Sequence, residues 1–298
     1  MEQWFIAAKR ADFNGIARRF QISPVLARLM RNRGLTTEEQ MEKYLHGGVK
    51  DLYDPWLLKD AEKGAAILKR KIEEKKKIRI ISDYDVDGVS SNYILYRGLL
   101  RCGAMVDYRI PDRIEDGYGI NEHLIGQACA EGIDTIITCD NGIAAAKQIR
   151  FGREKGMTLI VTDHHDIPFT EEKGKKQYHI PEADAVINPK QADCRYPAKN
   201  ICGAVVAFKF IQVLYALFGI SQKEAEEYLE MAALATVCDV MPLQDENRII
   251  VKEGLRRMNH SKIPGLRALI QANGLREKYS PLIIWDLFLA RALMLPAV

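Results

Sequence analysis

The sequence predicts an α/β protein with an open, mainly parallel β-sheet and flanking helices, preceded by a helical lead-in and followed by a helical C-terminal part. Between residues 78 and 188, short apolar runs alternate with helical stretches, which is typical of parallel strands joined by crossover helices. Helical apolar spacing dominates before and after this region. Polar residues also gather directly after the apolar runs, where open parallel sheets bind their ligands.

Residues 1–77 are predicted to form the helical lead-in. The stretch TTEEQMEKYL offers Thr36 or Thr37 as an N-cap, with Glu39 or Gln40 three positions on, which is the pattern of a capping box. The later stretch DAEKGAAILKRKIEEKKK has helical apolar spacing and gathers lysines toward its C-terminal end, where they favour the helix dipole.

Five strands follow in the prediction. They are expected at residues 78–82, 105–110, 133–139, 157–162 and 183–188. A proline-containing stretch, INPKQADCRYPAKN, is predicted to be the loop that joins the sheet region to the C-terminal part. After residue 200 the spacing becomes helical again, in NICGAVVAFKFIQVLYALFGI, KEAEEYLEMAALATVCDV and NRIIVKEGLRRM.

The composition is that of an ordinary globular protein, with 298 residues and 47% hydrophobic content. No apolar run approaches the roughly 20 residues that span a bilayer, and the first residues lack the layout of a signal peptide, so we expect a cytoplasmic protein. The six cysteines form no CxxC pair, which favours reduced thiols over disulfides or a zinc site. A net charge of +3 does not by itself indicate a nucleic-acid binder.

Acidic and imidazole side chains follow directly after three predicted strands. They are Asp83, Asp85 and Asp87 after the first, Asp140 after the third, and Asp163, His164 and His165 after the fourth, with a further acid, Asp239, at the end of an apolar helical run. Each alone has a simpler interpretation as a helix cap or a packing residue. Together they would repel one another and shift their pKa values strongly at one sheet edge, and divalent cations would compensate that charge.

The types of side chain indicate which ions fit. Carboxylate and imidazole ligands favour Mn²⁺, with Mg²⁺ as the hard-oxygen alternative. Two divalent ions about 3.5–4 Å apart are a common device for displacement at phosphorus, because they activate water and stabilise the attacking and leaving oxygens. The sequence therefore predicts a site for two Mn²⁺ ions, Mg²⁺ being possible, that hydrolyses phosphate esters.

Four motifs, DYDVDG, DNG, DHH and CDVMPL, resemble in order and spacing those of the DHH phosphoesterase superfamily. The flanking stretches LMRNRGLTTEEQMEKYL, IPDRIEDGYGIN, INPKQADCRYPAKNICGAVVAFK and DENRIIVKEGLRRM are similar to the RecJ family of single-stranded-DNA exonucleases within it. The resemblance runs from about residue 15 to residue 272 and assigns residues 78–272 to a DHH phosphoesterase catalytic domain.

The resemblance implies five metal ligands. Asp83 and Asp85 would bind ions from the first motif, Asp140 would bridge two ions, and His164 and Asp239 would complete the set.

It also implies three further catalytic residues. Asp163 would orient the imidazoles, and His165 would contact the scissile phosphate or a leaving oxygen. Asp87 would organise its loop rather than bind an ion.

Five residues are candidate substrate contacts. Ser90 and Ser91 lie at the predicted start of a helix, whose positive end favours phosphate, and a plain capping role is the alternative. Arg109, Arg113 and Lys199 lie in strand-end loops and are candidates for contacts to backbone phosphates, with solvated surface as the alternative.

Residues 273–298 depart from the resemblance. RecJ-like chains continue into a second, DHHA1-like phosphate-binding domain and an OB-fold, which we expect to be absent here. The stretch PLIIWDLFLARALMLPAV lacks the Asn-Ala-x-Gly-Arg segment of the family. Back-translating residues 289–298 with permitted codons and reading one base earlier spells Gly-Pro-Gly-Leu-Asn-Ala-Ser-Gly-Arg. We hypothesise a frameshift near residues 272–284 that leaves a truncated protein with an apolar, out-of-frame tail; a genuinely short family member is the alternative.

The function implied by the resemblance is metal-dependent hydrolysis of phosphodiester bonds in single-stranded DNA, from 5′ to 3′, in DNA repair and recombination. Two alternatives stay open: a smaller DHH-type phosphoesterase acting on oligonucleotides or cyclic dinucleotides, and a non-catalytic replication scaffold. Single-stranded DNA is the expected partner, single-strand binding protein is a candidate partner, and no membrane is expected. The oligomeric state is not specified.

Overall fold

A computed structural model describes residues 9–114, 116–117, 119–172 and 174–272. The predicted tail and the proposed frameshift therefore lie outside the described residues. The helices are α1 (Phe13–Phe20), α2 (Pro24–Asn32), α3 (Glu38–His46), α4 (Ala61–Glu73), α5 (Val86–Arg101), α6 (Glu122–Ala130), α7 (Ala146–Glu154), α8 (Gly203–Leu217), α9 (Gln222–Ala225), α10 (Leu229–Cys238), α11 (Asp245–Met258) and α12 (Pro264–Ala272). The strands are β1 (Lys77–Ser82), β2 (Met105–Arg109), β3 (Thr135–Cys139), β4 (Thr158–Thr162), β5 (Phe169–Glu172), β6 (Lys175–Tyr178) and β7 (Ala185–Ile187). Short 3₁₀ turns cover Val49–Asp51, Pro55–Leu57 and Glu226–Tyr228.

The main sheet has five strands in the order β2-β1-β3-β4-β7, and all neighbouring pairs are parallel. This confirms the predicted fold class, and the five predicted strands appear within about two residues of their predicted ends. From β1 the chain adds β2 on one side and β3 on the other. The carboxyl ends of β1 and β3 therefore flank a topological switch point, where open α/β sheets form their binding crevice.

The sequence prediction missed the antiparallel hairpin of β5 and β6. These strands have four residues each, and most of their side chains are charged or polar, in the stretches FTEE and KKQY. They therefore lack the alternating apolar pattern by which the longer strands were recognised.

Helices cover both faces of the sheet, because the strand residues alternate between two apolar cores. Ile78 and Ile80 of β1 face the core that contains residues of α4, α5 and α8. Ile81 faces the second core, which contains residues of α6 and α7. Helix α10 packs outside α5 and α8, and α11 packs against α10. Each crossover thus returns the chain to the same edge of the sheet, where the acidic motifs gather.

The lead-in has a small core of its own, formed by Met30, Leu35, Met41 and Tyr44. The predicted capping box is present at the start of α3, between Thr37 and Gln40. Helix α4, which the sequence assigned to the lead-in, packs against α8 and β7 as part of the sheet's helical layer. No helix within the described ranges is both long and apolar enough to span a bilayer.

Candidate metal centre

The turn between β1 and α5 carries the first group of acids. Asp83 follows β1 directly and is 2% exposed. Asp85 is the N-cap of α5, and its Oδ1 accepts a hydrogen bond of 2.8 Å from the Gly88 amide. The chain therefore turns into the helix with both carboxylates at the carboxyl edge of the sheet, as the alternating acids predicted.

Asp140 follows β3 and has a left-handed backbone, with φ of 60°. Its amide donates to the Thr162 carbonyl at 3.1 Å, and the neighbouring Asn141 side chain donates to the carbonyls of Ile81 and Cys139. Asn141 therefore ties the ends of β1 and β3 together. On the other side, a Cβ at Gly203 would lie 2.9 Å from Asp140 Cβ and Oδ1. Position 203 must accordingly be glycine for α8 to approach this closely.

Asp163 fixes the segment that follows β4. Its Oδ1 accepts hydrogen bonds from the amides of His164 and His165 at 2.7 and 3.0 Å and from His165 Nδ1 at 2.8 Å, while Oδ2 accepts from the Ile143 amide at 2.8 Å. Burial raises the pKa of Asp163, but the hydrogen bond with His165 and the amide donors outweigh burial and lower it. The same hydrogen bond raises the pKa of His165. This geometry suits the orienting role that was predicted for Asp163.

His164 lies at the middle of the acidic cluster. Its Nε2 is 3.0 Å from Asp140 Oδ1, 3.5 Å from Asp87 Oδ2 and 3.8 Å from Asp239 Oδ2. Burial lowers the pKa of His164, which favours the neutral imidazole that binds metals.

Asp87 connects the first motif to α8. Its two carboxylate oxygens accept hydrogen bonds from the amides of Gly203 and Ala204, at 2.6 and 2.7 Å. An acid is stabilised there because the first amides of a helix are unpaired and its N-terminus is positive. Sequence reasoning missed Gly203 and Ala204, whose only local signal was the glycine at the start of an apolar helical stretch.

The side chains form three groups of possible ion ligands, each with donor atoms within 4.8 Å of one another. They are Asp83, Asp85 and Asp140; Asp140, His164 and His165; and Asp87, His164 and Asp239. The structure thus brings together all five predicted ligands and two of the three other predicted catalytic residues. Asp140 and His164 each belong to two groups. Asp87 belongs to a group as well, although its predicted role was to organise the loop.

Buried donor atoms show that the cluster fits cations. Among the described residues, Asp83 Oδ1, Asp239 Oδ2 and His164 Nδ1 are buried without a hydrogen-bond partner, and such atoms are costly unless they are satisfied. Burial raises the pKa of Asp83 to about 6, with the Asp85 charge adding to it. Burial and the Asp87 charge likewise raise the pKa of Asp239 to about 6. Oxygen and imidazole donors suit Mn²⁺ or Mg²⁺, so the residues present fit divalent ions.

The three basic side chains predicted to contact phosphates have different neighbours in the structure. Arg113 lies over the Tyr84 ring, 5.4 Å from its centroid, beside Asp83. Arg109 donates to the Tyr108 carbonyl and lies 3.6 Å from Glu131. The Lys199 ammonium donates to the carbonyls of Pro189 and Cys194. The roles of Arg109, Arg113 and Lys199 stay predictions.

The structure does not support direct phosphate contacts by Ser90 and Ser91. Helix α5 begins at Val86 with Asp85 as its cap, so the two serines lie beyond the first turn, whose amides are free. Both side chains are fully buried, and neither hydroxyl has a hydrogen-bond partner within the described part of the chain.

Comparison with known proteins identifies the class of protein that this fold and this centre define. The profile of the N-terminal domain of the DHH family matches residues 77–236, more than half of the chain, and the chain belongs to that family.

Among curated proteins, the chain is similar to the single-stranded-DNA-specific exonuclease RecJ of Bacillus subtilis, with 38% identity over 273 residues. The match covers 91% of this chain and 33% of that protein, so the chain spans about a third of its relative's length. The solved structures include exonuclease RecJ bound to manganese, with a TM-score of 0.67, 35% identity and coverage of 78% of this chain and 56% of the other. RecJ of Thermus thermophilus in complex with Mn²⁺ has a TM-score of 0.73 and 30% identity, over 93% of this chain and 37% of the other.

Proposed function

We propose that this chain is a metal-dependent phosphodiesterase that hydrolyses single-stranded DNA from the 5′ end toward the 3′ end, in DNA repair and recombination. The observation that carries the proposal is the set of three ligand groups at one sheet edge, linked through Asp140 and His164. In the ranges that the structure describes, Asp83 Oδ1 and Asp239 Oδ2 are buried without a hydrogen-bond partner, which points to cations. Paired divalent cations are suited to displacement at phosphorus. The similarity to RecJ exonucleases supports single-stranded DNA as the substrate.

The residues have distinct parts in this chemistry. Asp83, Asp85, Asp140, His164 and Asp239 would hold two ions, Mn²⁺ or alternatively Mg²⁺. When bound, such ions activate water and stabilise negative charge on the reacting oxygens.

Asp163 and His165 act on the substrate side. The hydrogen bond to Asp163 keeps a proton on His165 Nδ1, and Nε2 would be the atom that contacts a phosphate or leaving oxygen. The His165 side chain is 45% exposed, whereas that of His164 is 6% exposed. His165 is therefore the imidazole within reach of a bound strand, and its raised pKa favours the charged form that stabilises an anion.

Two organisational features belong to the same proposal. Residues 1–77 would serve as a lead-in to the catalytic domain at 78–272, with α4 packed into the helical layer of that domain. Single-strand binding protein is the candidate partner protein. Co-purification of the two proteins, with and without single-stranded DNA, tests the partnership.

The test is degradation of a 20-mer of single-stranded DNA, 5′-phosphorylated and 3′-labelled, in the presence of Mn²⁺, beside a dinucleotide. Asp140→Asn should abolish hydrolysis, because it removes the charge of the carboxylate shared by two ligand groups. Asp193→Asn is the matched control, since Asp193 is an exposed acid that pairs with Lys59 at the surface. Its activity should equal that of the wild type.

The outcomes separate the candidate functions. Digestion of the 20-mer that Asp140→Asn abolishes supports the nuclease. Hydrolysis confined to the dinucleotide would instead indicate a smaller phosphoesterase. If the wild type degrades neither and calorimetry detects no Mn²⁺ binding, the chain is a scaffold and the proposal is refuted.

A further inference from the structure

The hairpin of β5 and β6 has no part in the metal centre, although it follows that centre closely in the chain. Phe169 begins β5 only four residues after His165. Four residues of extended chain reach at most about 14 Å. The base of this hairpin therefore lies close to the metal centre, within reach of a strand that carries a phosphate there.

The hairpin presents two aromatic rings on one face. Phe169 and Tyr178 are directly opposed in the register, and their rings meet edge to face with centroids 5.8 Å apart. Phe169 is 45% exposed and Tyr178 is 50% exposed. Lys176, two residues from Tyr178 on the same face, places its ammonium 4.2 Å from the centroid of the Phe169 ring.

Packing in the apolar cores does not account for these rings. Within the described residues, neither ring belongs to the apolar cores of the sheet or the lead-in. Exposed aromatic rings beside a lysine are the combination by which proteins hold single strands, because every base has a face that stacks on a ring and every nucleotide carries a phosphate. Glu171 lies directly opposite this lysine in the register.

We propose that Phe169 and Tyr178 form a stacking platform for bases of single-stranded DNA, with Lys176 contacting the phosphate backbone. The inference rests on the proposed nuclease function and extends it, because it assigns binding of the strand beyond the reacting phosphate. The platform recognises the π-face of a base, so it is indifferent to sequence.

The test compares binding of two 20-mers in EDTA, where hydrolysis is suppressed. One is oligothymidylate and the other is its abasic counterpart with the same number of phosphates, and fluorescence anisotropy gives both Kd values. Stacking of one base corresponds to roughly a 5- to 150-fold change in Kd. The wild type should prefer the base-containing strand by at least about tenfold, and the double variant Phe169→Leu/Tyr178→Leu should lose that preference.

Three single variants separate stacking from hairpin folding. Tyr178→Trp keeps an aromatic face and should retain the preference. Gln177→Ala, on the opposite face of the hairpin, should bind like the wild type. Lys176→Gln should lower the slope of log Kd against log salt concentration by about 0.7, the value for one phosphate contact on a single strand.

A double leucine variant that keeps the base preference, or a wild type that shows none, overturns the platform. Circular dichroism of the double variant verifies that the rest of the fold is intact. Parallel hydrolysis of the oligothymidylate with Mn²⁺ keeps the two proposals apart. Base-dependent binding without hydrolysis counts against the nuclease and supports the platform, whereas hydrolysis without base-dependent binding counts against the platform alone.

Discussion

A buried ion pair between Lys209 of α8 and Glu246 of α11 provides the sharpest test of how the fold is held together. Both side chains are fully buried, and Lys209 Nζ lies 2.6 Å from Glu246 Oε2. Lys209 also donates to the Tyr53 carbonyl at 2.7 Å, and Glu246 accepts from the Tyr53 amide at 2.9 Å and from the Tyr196 hydroxyl. The pair thus joins two helices to the segment before α4.

Glu246→Gln keeps the shape of this side chain and removes its charge. The variant should lose about 3–5 kcal/mol of unfolding free energy, because breaking one partner of a buried pair leaves the other charge uncompensated. A domain's total stability is only about 5–15 kcal/mol. The measurement is urea unfolding followed by circular dichroism. Glu154→Gln, at an exposed acid in the last turn of α7, is the control and should change stability by less than about 0.5 kcal/mol.

The pH dependence of the variant supplies a second readout. Burial already lowers the pKa of Lys209, and Glu246 opposes that effect, so removing the carboxylate lowers this pKa further. Above the lowered pKa, the unfolded chain binds a proton that the folded chain has released, and the variant should gain stability as pH rises toward 10. A loss below about 1 kcal/mol with no such pH dependence would refute the argument that the buried charge needs its partner.

Three further predictions concern the metal centre and the cysteines. Mn²⁺ at 100 times its Kd should stabilise the wild type by about 2.7 kcal/mol, seen as a higher melting temperature that EDTA reverses, while Asp140→Asn should show little shift. In EDTA, Asp83 and Asp239 have folded pKa values of about 6, above their ordinary values; their contribution to stability is complete below about pH 4 and is lost as pH rises through 6. The metal-free melting temperature should therefore fall as pH rises from about 4 to about 6, and a flat profile would contradict these pKa values. Burial raises the pKa of Cys102 to about 12, so iodoacetamide at pH 8 should modify the exposed Cys129 and spare Cys102 in the native protein, as peptide mass spectrometry can verify.

The fold and most of the centre were predictable because the relevant signals are local. Strand residues such as Ile78 and Ile80 stand in short apolar runs, and the acids that follow must lie at the carboxyl edge of a parallel sheet. Asp83 and Asp140 could therefore be placed together without knowing any contact between them.

What could not be predicted depends on contacts between distant parts of the chain. No local pattern shows that the amides of Gly203 and Ala204 meet Asp87, from which they are separated by 116 and 117 residues. The position of Lys209 in the apolar α8 likewise does not predict its ion pair with Glu246 of α11. The sequence places Ser90 and Ser91 at a helix start, whereas in the structure Asp85 is the cap and α5 already begins at Val86.

The hydrogen bonds between Asp87 and the start of α8 also bear on the order of folding. The Asp87 carboxylate is buried against the Gly203 amide, which is synthesised 116 residues later. Contacts between residues so far apart in the chain form late, because closing the intervening loop costs entropy before the contact is made. Until α8 arrives, Asp87 has to remain hydrated, and Asp239 lies further along the chain still. The ion-binding cluster is therefore among the last features to assemble, and tight uptake of Mn²⁺ would report completed folding of the whole region rather than of β1 and its neighbours alone.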